Sequence, residues 1–234
     1  MTTITTTTDA AAQYRLLAWL SPAYPIGGFG YSHGLEAAVE AGLVRDRAAL
    51  VEYVATVLRD GAGRVDGALL AAAWRAAAAG DDVALDDVAA LAAAWRGTAE
   101  TALETMQQGG AFATVTAAAW PEPRFAAFAA RHGRRLAHPV AFGAAAAVHA
   151  VPLRPALAGW LAGFAANLVS AGVRLVPLGQ TDGQVATAAL HPVVAAAADA
   201  ALAVTDLGAL GTAAPVLDLL SMRHETQYTR LFRS

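Results

Sequence analysis

The chain contains no cysteine. Disulfides, thiol nucleophiles, thiolate-bound zinc and iron–sulfur clusters are therefore excluded. It contains no lysine either, and all 16 basic residues are arginine. That removes a phosphate-loop lysine, Schiff-base chemistry and Ser–Lys hydrolases. Charge is scarce, at 15% of residues with a net charge of −3, so no basic field exists to hold a nucleic acid. Strand signals are poor: Ile4 and Ile26 are the two isoleucines, and no alternating run of β-branched residues marks a strand.

What the chain has in excess is alanine, within a hydrophobic fraction of 56% and a mean hydropathy of +0.43. Alanine is the best helix former. Helical spacing recurs at Leu50, Val51, Val54, Val57 and Leu58 behind Asp46, a plausible cap. A second stripe runs through Val88, Leu91 and Trp95 and continues in register at Leu103 and Met106. A third comprises Leu157, Trp160, Leu161, Phe164 and Leu168. Glycine and proline punctuate the chain at 22–30, 61–67, 80–82, 120–123, 138–143, 152–155, 177–183 and 208–215. The expectation is an all-α fold: a single compact domain of roughly eight to ten helices. It spans residues 13–220, between a disordered Thr-rich tail (1–12) and a C-terminal interaction tail (221–234). The Thr-rich start carries no basic leader, which points to a cytoplasmic protein.

Residues 155–173 run without a charge between Arg154 and Arg174, and a spanning helix needs about 20 apolar residues. Gly159 and Gly163 even form a G-x-x-x-G pair. The stretch is rich in alanine, interrupted by Asn167 and Ser170, and carries its large residues mostly on one face. A buried helix is the expected reading, and no second span is expected because 136–151 is broken by His138, Pro139 and His149.

Three constellations could carry chemistry. Gly30-Tyr31-Ser32-His33-Gly34 matches G-x-S-x-G, the nucleophile elbow of α/β hydrolases, and Asp182, Asp206 or Asp218 followed by His224 permits a triad in order. The elbow needs a preceding strand, whereas 21–29 reads as a proline–glycine loop feeding a helix that starts at Ser32. Among the six histidines no H-x-x-x-H occurs; His33 and Glu36, three apart on that helix, could share a metal with groups elsewhere. The C-terminal sequence 221–234 carries Met222, Tyr228, Leu231 and Phe232 beside Arg223, Arg230 and Arg233, residue types enriched at interfaces. If helical, Tyr228, Leu231 and Phe232 would share a face. It is either an anchor for another protein or a segment packed on its own domain.

Four blocks, in order and together spanning residues 16–234, carry a resemblance. They are SPAYPIGGFGYSHGLEAAVEAG at 21–42, HPVAFG at 138–143, NLVSAGVRLVPLGQTDGQ at 167–184 and LDLLSMRHETQYTRLFRS at 217–234. Together they resemble the urease accessory proteins of the F type. Departures lie in the middle, where Gly110 stands in place of a frequent basic residue, and at His33. The resemblance implies a non-enzymatic all-α scaffold that dimerises and binds accessory protein D (H in some species). It implies recruitment and regulation of the nickel-carrying GTPase, accessory protein G, and docking on apo-urease. No cofactor of its own is implied, nickel being carried by the GTPase, with room left for a weak direct contact. Partner-facing residues follow from the matching blocks. Tyr31, His33 and Glu36 lie in the loop expected to face the GTPase. Arg174 precedes the Val-Pro-Leu-Gly-Gln stretch, and Gln180 is its last residue. Arg223, Tyr228, Arg230, Leu231, Phe232 and Arg233 lie in the tail expected to order against accessory D.

Overall fold

The computed structural model describes residues 9–28 and 30–234. Among them are eleven α-helices, two short 3-10 turns and no strand. Residues 1–8, most of the expected Thr-rich tail, lie outside the described residues. The first helix, α1 (Ala10–Trp19), begins before residue 13: Asp9 caps it, and Ala12 is fully buried.

The centre is the pair α4 (Ala62–Ala79) and α8 (His138–Val148), packed along each other. Small side chains make this possible. A Cβ on Gly143 of α8 would run into the carbonyl oxygen of Leu70 on α4, and one on Gly67 would press on Ala201. Here glycine serves close helix approach, so α4 and α8 run straight through glycines that read from sequence as breaks. Around this pair stand α3 (Arg47–Arg59), α5 (Asp82–Ala94), α6 (Ala99–Ala119), α7 (Pro123–His132), α9 (Leu153–Leu175) and α10 (Gln180–Ala203). The short α2 (Leu35–Glu40) and the last helix, α11 (Pro215–Glu225), pack together at one end, with α6 against α11.

The first stripe is α3. Asp46 caps it, accepting from the amide of Ala49 at 2.9 Å, and Leu50, Val54, Val57 and Leu58 are buried. The second stripe is not one helix. It breaks after Trp95, where Arg96 turns inward and the hydroxyl of Thr98 caps α6 through the amide of Thr101. The break is stabilised by a buried pair: Arg96 Nη2 lies 2.5 Å and Nη1 3.3 Å from the Asp66 carboxylate of α4.

The third stripe lies in α9, whose Leu157, Trp160, Leu161 and Leu168 point into the core. The G-x-x-x-G pair seats α1: side chains of Leu16 and Leu20 lie where Cβ atoms on Gly159 and Gly163 would project. By length and composition α9 is apolar enough to cross a membrane, and so is α10, contrary to the expectation of no second stretch. α10 carries Asp182, His191, Pro192 and Asp199, and its apolar window is 33% buried, against 50% for α9.

Two outcomes test this packing. Gly143→Ala is expected to destabilise the protein by about 1–3 kcal/mol, because the obstacle is backbone and cannot rotate away. An unchanged urea midpoint would contradict it. His138, at the start of α8, accepts from Trp160 Nε1 at 3.3 Å through Nδ1, leaving Nε2 buried without a partner. Burial pushes its pKa down from 6.5 to about 4, the Glu104 charge opposing only in part. The unfolded chain therefore binds this proton more readily, and acid favours unfolding. The contribution, about 3 kcal/mol, is intact above pH ~6.5 and lost by pH ~4. Denaturation midpoints of His138→Gln should fall less steeply than wild type across that window; parallel slopes would refute the assignment.

Candidate functional site

The end of the molecule formed by α2, α6 and α11 buries three carboxylates: Glu36 at 7% exposure, Glu100 at 5% and Glu104 at 7%. Desolvated charges need donors in place of water. The C-terminal segment supplies most of them.

Two successive left-handed residues, His33 (φ 55°) and Gly34 (φ 78°), turn the chain from the glycine loop into α2. Gly34 is required there, since a Cβ would sit 3.1 Å from the amide nitrogen of Ser221. This turn aims Glu36 at the tail. One oxygen of Glu36 accepts from the amide of Leu231 at 2.7 Å. The other accepts from the amide of Phe232 at 2.9 Å and from His224 Nε2 at 3.0 Å. His224 is fully buried in α11, and its Nδ1 faces Glu100 at 2.9 Å. Each ring nitrogen of His224 thus lies within hydrogen-bond distance of a buried carboxylate. Arg230 completes the shell of Glu100 at 3.1 Å.

Glu104, one turn beyond Glu100 on α6, receives His33 Nδ1 at 3.2 Å and the Ser234 hydroxyl at 2.9 Å. Burial alone would raise its pKa. The charge and hydrogen bond of His33, the Ser234 bond and the more distant Arg96 charge outweigh it, so the carboxyl is held below its ordinary range. The Ser234 carbonyl in turn accepts from both the amide and the hydroxyl of Ser32, each at 2.5 Å.

A second set of contacts closes the loop side. The guanidinium of Arg174, at the end of α9, lies 4.5 Å from the Phe232 ring centroid and donates to the carbonyls of Gly28 and Ser170. Burial lowers its pKa. The amide of Arg233 donates to the Gly30 carbonyl at 2.8 Å. Tyr31 donates to Gln107 at 2.5 Å, and its pKa is raised by burial and by Glu104, with Arg233 opposing.

The expected site residues thus converge, with exceptions. Tyr31, His33, Glu36, Arg174, Arg230, Phe232 and Arg233 form one network. Gln180 stands apart and exposed at the start of α10, and Arg223 is exposed on α11. Tyr228 and Leu231 are exposed at 104% and 62%, whereas Phe232 is buried. Beyond Glu225 the chain is not helical, so these three do not share a face. Of the two alternatives for 221–234, the segment is seen packed on its own domain, with Tyr228 and Leu231 outward.

The metal-sharing idea for His33 and Glu36 does not hold. His33 precedes α2 and turns to Glu104, while Glu36 turns to His224 and the tail. Among the described residues no group of three or more His, Asp or Glu side chains is placed to hold a metal ion. The hydrolase elbow is not built either. No described strand precedes Ser32, and α2 starts at Leu35 instead of Ser32. The Ser32 hydroxyl donates to Ser234, and both nitrogens of His224 face Glu36 and Glu100. Asp182 pairs with Arg47, Asp206 caps a 3-10 turn and Asp218 faces a separate cavity.

Glu100, Glu104 and Ser234 were not singled out from sequence. Their signal was faint: two glutamates four apart on one helix face, in a chain with few charges.

Such a site is an all-helical framework folded around its own C-terminal segment, with its polar groups spent on holding that segment. The family model for UreF matches residues 44–191. The chain is 64% identical over 230 residues to the urease accessory protein UreF of Granulibacter bethesdensis, covering 98% of this chain and 97% of that one. It is 52% identical to the UreF of Rhodopseudomonas palustris strain BisA53 (96% and 94% covered) and 51% identical to that of Methylorubrum populi (94% and 98%). The chain belongs to the UreF family of urease accessory proteins.

Glu36→Gln should speed hydrogen exchange at the Leu231 and Phe232 amides roughly tenfold or more, since bonds to a charged acceptor are lost. Unchanged protection would remove Glu36 from its place as the tail's anchor.

Proposed function

We propose that this protein is a non-enzymatic scaffold of urease maturation. It binds accessory protein D (H in some species) and recruits the nickel-carrying GTPase, accessory protein G. The assembly docks on apo-urease and acts in the cytoplasm, with this chain as a homodimer. Nickel is cargo held by the GTPase, and this chain regulates the GTPase without a resident cofactor.

Family membership supports the role in urease maturation. The observation that carries the scaffold reading is the docked tail. Its backbone is fixed from within by Glu36 while Tyr228 and Leu231 stand outside, and Leu219 and Met222 of α11 are exposed as well. Rigidly held, exposed aromatic and aliphatic side chains lose little entropy on association, which suits them as anchors. Pro25, Gly28, Tyr31 and Arg174, on the loop side of the same end, are proposed to face the GTPase.

Tyr228 and Leu231 are exposed, so replacing both by alanine should leave the fold intact. Co-expressed with the cognate accessory D protein, wild type is expected to co-elute as a complex on size exclusion with light scattering. The double variant should lose at least tenfold in affinity, as two anchors of about 1 kcal/mol or more would dictate. A complex of undiminished affinity would move the anchor into the helical body. No complex with the wild-type chain would overturn the scaffold reading.

A further inference from the structure

Next to the carboxylate network, sharing His33 with it, lies a cavity of about 230 Å³ between the start of α4, the α5–α6 break and the first turns of α11. That is below the roughly 300–1,000 Å³ of pockets for drug-sized ligands, so it fits a fragment or a single side chain. Its mouth is a built feature: the 210–214 segment is fastened by the Ala213 amide to the Asp60 carbonyl at 2.8 Å. Hydroxyls lie on its inner side, with Thr98 bonded to both Thr101 and Ser221 at 2.8 Å.

The charges facing this space do not cancel. Arg96 is neutralised by the bidentate Asp66 pair, and His33 faces Glu104. Asp218 has neither a hydrogen bond nor an ion pair among the described residues, and its carboxylate rests over Gly97, where a Cβ would lie 3.6 Å away. None of the chain's own arginines reaches it. The half-buried ring of Trp95 lines the same cavity. One uncompensated carboxylate beside an indole, with neutral hydroxyls behind, is the chemistry that holds an organic cation. An anion would meet the Asp218 charge, and the guanidinium in the lining, Arg96, is already neutralised by Asp66, with its Nε alone left without a partner. A divalent metal would need several more oxygen ligands of charge than one carboxylate gives.

We propose that this cavity is a socket for one organic cation, a guanidinium or a primary ammonium on an alkyl stem, with Asp218 as counter-ion and Trp95 as wall. The cation comes either from an arginine or lysine side chain of a bound protein or from a free alkyl amine. The proposal does not rest on the partners proposed above or on Tyr228 and Leu231, neither of which lines the cavity, so either reading can fail alone.

The test is calorimetric titration of the full-length chain with agmatine, with N-butylurea as the neutral analogue, and with a Gly-Arg-Gly peptide blocked at both ends. Saturable agmatine binding is expected, with none for N-butylurea. Asp218→Asn should weaken agmatine at least tenfold, the scale of a lost charged hydrogen bond. Tighter binding of the peptide assigns the cation to a protein, and tighter binding of agmatine assigns it to a small amine. The proposal is overturned if agmatine does not saturate, if N-butylurea binds as well, or if a folded Asp218→Asn chain binds agmatine unchanged. Should that variant not fold, the agmatine against N-butylurea comparison on the wild-type chain still decides.

Discussion

A carboxylate shut away from water has to assemble its own solvent, and Glu36 does so from distant parts of the chain. Its donors are an imidazole from α11 and two successive amides from the C-terminal segment. Leaving such a charge buried without them costs several kcal/mol. Two of the three donors belong to the tail, so tail and body are one energetic unit. The same dependence holds α2 in place. Six residues are too few to be helical on their own account. The element persists because its first turn is fixed between α11 and the tail, through Gly34 against Ser221 and Glu36 against His224.

The rest of the molecule solves the opposite problem, how to bury a chain with little charge and few large side chains. Alanine and glycine bring helix axes close, so backbone meets backbone. Gly143 against Leu70 does this between α4 and α8, and Gly109 against Leu136 does it between α6 and the segment leading into α8. Aromatic residues concentrate where the approach is wider: Trp19, Phe112 and Phe142 meet edge-on or tilted between α1, α6 and α8. A core of this kind tolerates added volume poorly, because the neighbour that must yield is often a main-chain carbonyl. It also leaves apolar surface outside. Leu17, Val185 and Leu219 are exposed on three different helices.

Helices whose large residues repeat on one face were legible from sequence. α3 and α9 lie where their stripes put them, and Asp46 caps as its position promised. The failures share a cause. Periodicity does not register what a buried charge does to the backbone, so the stripe at Val88 to Met106 hid a break that exists to deliver Arg96 to Asp66. Glycine read as punctuation inside 61–67 and 138–143, where contact across helices decides its role. At the site, the tail's interfacial composition was visible, but its partner within the chain was not. Glu36, Glu100 and Glu104 are brought together only by tertiary packing of α2 against α6 through α11. The pentapeptide around Ser32 illustrates the converse: a local pattern suggested chemistry that the surrounding fold does not support, since its hydroxyl is committed to Ser234.

The tail offers two kinds of surface, and they differ in what it costs to use them. Tyr228 and Leu231 already face outward, so a partner reading them leaves every bond to Glu36 intact. Phe232 is held under Arg174 and its amide is on Glu36, so a partner reading it must first lift the segment out. Lifting it strips donors from three buried carboxylates, Glu36, Glu100 and Glu104, and separates the ring from the guanidinium. Arg174 would not be left bare by this, because it also holds the Gly28 carbonyl. A partner using the first route would need no rearrangement of the tail. Binding by the second is offset by the cost of the lost network, and would couple the tail to the glycine loop through Arg174 and the Arg233–Gly30 bond. Because both routes start from the same docked state, the strength of the Glu36 network sets which is used: the firmer the latch, the more the tail behaves as a rigid outer surface.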